Sequence, residues 1–80
     1  MTSEIIPDAE LDCVGLYCPM PIAKTKLEID KLEAGQVLKV EADDPAAEGD
    51  IKSWASRTGH EIVKLSKEGT IVTFFIRKRA

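Results

Sequence analysis

Leu11-Asp12-Cys13-Val14-Gly15-Leu16-Tyr17-Cys18-Pro19-Met20-Pro21 is the stretch on which the fold turns. Over residues 10–14 apolar and polar side chains alternate, with Leu11 and Cys13 on one face and Asp12 on the other, which is the period of a strand. Gly15 breaks that pattern. From Pro19 onward the composition becomes helical. Two prolines stand at the front, where missing amide donors cost nothing, and residues 19–34 contain no glycine. Ile22, Thr25, Ile29 and Leu32 recur at spacings of three and four, so they form the inward stripe, while Leu27 falls off it as a half-exposed apolar residue. Gly35 then supplies the left-handed residue that commonly stops a helix.

Working outward, residues 36–43 alternate again, with Leu38, Val40 and Ala42 opposite Val37, Lys39 and Glu41, and read as a second strand. Asp44-Pro45 is a helix-start signal, although Asp50 after Gly49 offers a second cap for a shorter helix. In either case Ile51, Trp54, Ala55 and Thr58 face inward, and Gly59 ends the segment. Residues 60–65 form a third strand, Lys67-Glu68-Gly69 a hairpin turn, and residues 70–77 a fourth strand rich in β-branched and aromatic side chains. The order is βαβαββ. Each helix has one apolar stripe and the chain is too short to cover two sheet faces, so the expected fold is an α/β (α+β) two-layer sandwich. It has a four-stranded mixed sheet with both helices on one face. Residues 1–8, aperiodic and containing Pro7, read as a disordered leader, and residues 9–80 as a single domain.

Eighty residues, 44% apolar and 31% charged, suit one core. The start of the chain lacks the basic and apolar regions of a signal peptide, and no run approaches the ~20 apolar residues needed to span a bilayer. Two cysteines are too few for the disulfide framework of a small secreted domain. A cytoplasmic monomer without a membrane association is the economical expectation. The net charge of -3 argues against stable nucleic-acid binding. The one basic cluster, Arg77-Lys78-Arg79, is read as the solvated end of the last strand, with a docking patch for an acidic partner or transient RNA as the alternative.

Cys18 carries the chemistry in this reading. At or near a helix N-cap its sulfur meets the positive end of the helix dipole, which favours the thiolate, the nucleophilic form. Pro19 and Pro21 remove two donors from the first turn while pre-setting its backbone, leaving the amides of Met20 and Ile22 to point at the sulfur. Acyl-transfer cysteines need a base, and the single histidine, His60, stands far along the chain at a strand start. A structural metal site needs about four Cys or His ligands, more than the chain has, so neither metal nor cofactor is expected. A lone polarised cysteine suits thiol exchange or persulfide transfer, with partner proteins supplying the rest. Cys13 makes a C-x4-C pair with Cys18. Its alternation with Leu11 points to a buried core residue rather than a redox partner, for which C-x2-C would be the stronger signal.

The 11–21 stretch resembles the opening signature of the TusA/SirA/YedF family of sulfurtransferase-like proteins, with its Cys-Pro-x-Pro motif intact at Cys18-Pro19-Met20-Pro21 and Gly15 ahead of it. Asp43-Asp44-Pro45-Ala46, Trp54-Ala55, Thr58-Gly59-His60-Glu61 and Ile76-Arg77-Lys78 extend the likeness over residues 10–79. The resemblance implies the same βαβαββ fold and a persulfide on Cys18. It implies sulfur received from a cysteine desulfurase or rhodanese-type donor and passed to an acceptor protein in tRNA thiolation, molybdenum cofactor synthesis or sulfur oxidation. Other members of the family serve selenium metabolism or accompany membrane sulfur transporters. Cys13 departs from the alanine common at that position, which leaves a redox variant open, and Met20 occupies the variable position of the motif. Two competing readings remain: a non-catalytic interaction or regulatory module using the same surface, and an RNA binder resting on fold likeness and the basic tail.

Overall fold

The computed structural model describes residues 6–17 and 20–79. Its elements are β1 (Ala9–Cys13), α1 (Met20–Asp30), β2 (Val37–Ala42), α2 (Ala47–Thr58), β3 (Glu61–Glu68) and β4 (Ile71–Arg77). The sheet order is β1-β2-β4-β3. β1 runs parallel to β2, and β4 is antiparallel to both of its neighbours. One face is therefore built in cross-strand rows, Leu11–Val40–Phe74 and Cys13–Ala42–Val72 among them. With Ile29 of α1 and Ile51, Trp54 and Ala55 of α2 they make the core. The two-layer α/β sandwich read from the alternation is the fold observed.

The boundaries differ where local bonding overrides the apolar period. α1 ends at Asp30 rather than residue 34, because the Lys31 and Leu32 amides bond three residues back to Glu28 and Ile29 (3.1 Å each). The Glu33 amide then turns to the Gln36 side chain (2.8 Å). α2 begins at Ala47, not at Pro45 or Asp50. Asp44 shapes the turn ahead of the helix instead of capping it, its Oδ1 accepting from the Ala46 amide (3.1 Å) and its carbonyl from the Ala47 amide (2.9 Å). β3 runs on through Lys67 and Glu68, so the hairpin loop is Gly69-Thr70. There Gly69 takes the positive φ (62°) that the first position of a II′-type turn requires. Of the expected leader, residues 1–5 lie outside the described residues. Asp8 is held, its amide donating to the Val37 carbonyl and its carboxylate accepting from the Val37 amide (2.8 Å each).

Candidate functional site: the β1–α1 junction

Cys18 and Pro19 lie outside the described residues, so the structure reports on what flanks them. β1 delivers the chain to the end of the sheet at Cys13, beside Ala42 of β2. The connection beyond it is shaped by backbone bonds. Asp12 Oδ1 accepts from the Val14 amide (2.9 Å), a local two-residue turn of the kind aspartate favours. The Leu16 amide donates to the Cys13 carbonyl (3.1 Å). Gly15, at φ 88°, donates its amide to Asp43 Oδ1 (2.9 Å), just past the end of β2. Only glycine adopts that φ without strain. The Met20 amide donates to the Tyr17 carbonyl (2.8 Å), closing the approach to α1.

That last bond corrects one expectation. The Met20 amide, read as free to point at sulfur, is taken by the Tyr17 carbonyl. Pro21 is fully buried against the sheet, and Thr25 below it is satisfied by donating its hydroxyl to the Pro21 carbonyl (2.7 Å). Pro21 therefore has a buried seat as well as a backbone role. Around the junction the apolar side chains turn outward: Val14 is 41% exposed, Tyr17 72%, Met20 43% and Leu27 64%. Four of the five exposed large apolar residues among those described thus fall between positions 14 and 27, the fifth being Ile6. Val14, Tyr17 and Met20 stand at the β1–α1 junction itself and Leu27 lies seven residues further along α1, and exposed apolar side chains gathered in one part of a fold are a usual mark of a contact surface.

Cys13 is 0% exposed and sits in the core row with Ala42. Burial pushes its thiol pKa up, opposed by the Lys24 charge and reinforced by Asp12. A buried protonated thiol is a poor nucleophile, which agrees with the packing role read from its alternation. Among the described residues no group of three or more His, Cys, Asp or Glu side chains gathers to hold a metal, and no helix is long and apolar enough to cross a membrane.

The other sequence-singled residues lie at the opposite end of the sheet. His60 packs on Trp54, ring centroids 5.0 Å apart, and its Nδ1 accepts from the Arg79 amide (3.1 Å). Burial, then the charges of Arg79 and Lys78, hold its pKa down. Lys78 Nζ donates to the Leu32 carbonyl (2.6 Å), and its backbone pairs with Gln36 and Gly35 (2.8 and 2.9 Å). Arg77 pairs with Glu61. The Arg77-Lys78-Arg79 cluster is thus engaged within the chain, two of its three side chains in specific bonds. A groove of about 470 Å³ between Gly35, Gly59 and these residues is far from the β1–α1 junction.

A sequence profile of the TusA sulfurtransferase family matches residues 9–78. The sulfur carrier protein TusA of Allochromatium vinosum is 41% identical over 71 residues, covering 89% of this chain and 93% of that protein. YrkI of Bacillus subtilis is 44% identical over 71 residues, covering 89% of this chain and 95% of its own length. The chain spans only 37% and 36% of two longer relatives, from Bacillus subtilis and Aquifex aeolicus. The crystal structure of a SirA-like protein from Desulfitobacterium hafniense superposes with a TM-score of 0.77 at 25% identity, covering 90% of this chain and 99% of that one.

Proposed function

Since the chain belongs to the TusA sulfurtransferase family, matched over residues 9–78, we propose that it is a sulfur carrier in which Cys18 holds the cargo as a persulfide. The Cys18 thiolate attacks the terminal sulfane sulfur of a donor persulfide. The new S–S bond forms as the donor's S–S bond breaks, and the donor leaves as its thiolate. Delivery repeats the exchange with an acceptor thiolate attacking the terminal sulfur. No net oxidation occurs at either step, so no cofactor is required, only two protein partners that present the right sulfur. A cysteine desulfurase or rhodanese-type protein is the donor in this scheme, and the reducing cytoplasm is the compartment that keeps such a thiol available.

The observation that supports this reading most is the Cys-Pro-Met-Pro motif with exposed apolar side chains at and beside it, Val14, Tyr17 and Met20. A carrier must bring its sulfur within bonding distance of two different enzymes, and apolar side chains around the cysteine give each a surface to exclude water against. The same cluster would also serve a pure interaction module in which the thiol is incidental. A relay assay separates the two. Protein loaded by a desulfurase with radiolabelled cysteine sulfur, freed of donor, delivers label to an acceptor thiol if it is a carrier. Retention of partner binding with no label in the Cys18-containing chain favours the module.

A further inference from the structure

Among the described residues, the connection that leads to Cys18 shows three local bonds and one distant one. Asp12 to Val14, Leu16 to Cys13 and Met20 to Tyr17 fix how the chain turns, but all lie within the segment itself. The distant bond, from the Gly15 amide to Asp43 Oδ1, spans 28 residues and ties the turn to the end of β2, beside the packing of Leu16 against the core. Gly15 has open space where a Cβ would be, so no side-chain packing shares the task at that residue. Asp43 is placed by the sheet, one residue beyond the Ala42–Cys13 pairing, and is followed by Asp44, which shapes the start of α2. Adjacent carboxylates at the end of β2 thus organise the approaches to both helices.

We infer that Asp43 is a positioning residue for sulfur exchange, holding the Cys18-bearing loop in register with the sheet through its hydrogen bond to the Gly15 amide. This rests on the carrier reading above. Its effect comes from geometry rather than from charge. A carboxylate near a thiolate or persulfide anion opposes ionisation, whereas a hydrogen bond that keeps the loop in one place shortens the search for an in-line approach to the donor sulfur. Asparagine keeps the Oδ1 acceptor and removes the charge, so it separates the two effects.

The test compares wild type, Asp43→Ala and Asp43→Asn in single-turnover sulfur transfer from a persulfidated desulfurase, with amide hydrogen exchange at Gly15 read on the same proteins. Asp43→Ala is expected to slow transfer on the order of tenfold. Its loading endpoint should stay complete and its Gly15 exchange should accelerate. Asp43→Asn is expected to restore both rate and protection to within about twofold of wild type, taking the retained acceptor to be nearly equivalent. Should the alanine variant not fold, Asp43→Glu, which keeps the charge and changes the reach, carries the comparison with asparagine. An asparagine variant as slow as alanine would overturn the inference in favour of charge, and an alanine variant as fast as wild type would overturn it outright. Failure of wild type to load sulfur would instead sink the carrier reading. Gly15 exchange would still report whether the tether exists.

Discussion

The two ends of the sheet are built on opposite plans. At the end where β1 and β2 finish, carboxylates of Asp12 and Asp43 are used on backbone amides, and the side chains of Val14, Tyr17 and Met20 are left facing out. At the other end the charged side chains themselves are consumed. Lys78 binds the carbonyl of Leu32 past the C-terminus of α1, Arg77 pairs with Glu61, and His60 joins Trp54 to the backbone of Arg79. Helix C-termini carry partial negative charge, and α1 has no basic residue in its own last turn, so Lys78 supplies the missing cation from across the fold. One end fixes structure; the other fixes a backbone and presents a surface.

Four measurements sharpen or break this contrast. The largest effect is expected at Trp54, 4% exposed between α2 and His60, where Trp54→Ala should cost ~3–5 kcal/mol in a denaturant melt. An unchanged melting temperature would mean that the tied end does not rest on it. Next, Lys78→Met keeps the apolar stem but removes the ammonium, and about 1–2 kcal/mol should be lost. His60 contributes a pH dependence with a definite sign. Its folded pKa is held below the free value, so as pH falls the unfolded chain takes up the proton first. The stability it contributes is fully present above about pH 6.5, the unfolded value, and is lost as pH falls toward the depressed folded pKa. Melting temperatures across that window should decline with falling pH, and less so in His60→Gln. The smallest effect belongs to the presenting end: Tyr17→Ser should change stability by less than about 0.5 kcal/mol. A larger loss there would show that the exposed cluster is structural after all.

Much of this organisation is legible in the sequence. Leu38, Val40 and Ala42 alternate because β2 buries one face only, and Ile51, Trp54 and Ala55 mark α2 because one helical stripe meets the core. The misread boundaries share a cause. Lys67 and Glu68 look like turn residues because β3 is an edge strand with little burial there, yet both pair with β4. Residues 31–34 keep a helical period, but the last turn is rerouted by the Lys31–Glu28 and Leu32–Ile29 backbone bonds and by the mutual bonds of Glu33 and Gln36, which the period does not encode. At the site, the cysteine motif and its prolines stand out in one dimension. The Asp43 tether does not, because it exists only once β1 and β2 lie side by side. The same holds for Lys78, whose partner Leu32 is 46 residues away. Its charge reads in sequence as the solvated end of the last strand, with a docking patch as the alternative, and only the folded chain reveals an internal cap.

The central claim, that sulfur travels on Cys18 and not on the buried Cys13, is tested most directly by locating the added atom. Wild type, Cys13→Ala and Cys18→Ser are incubated with a cysteine desulfurase and cysteine, blocked with an alkylating reagent, digested and mapped by mass spectrometry. One extra sulfur on the peptide holding Cys18 is expected in wild type and in Cys13→Ala, and none in Cys18→Ser, whose circular dichroism should match wild type. Transferable sulfur on the Cys18→Ser protein, or its loss in Cys13→Ala with Cys18 intact, would contradict the account.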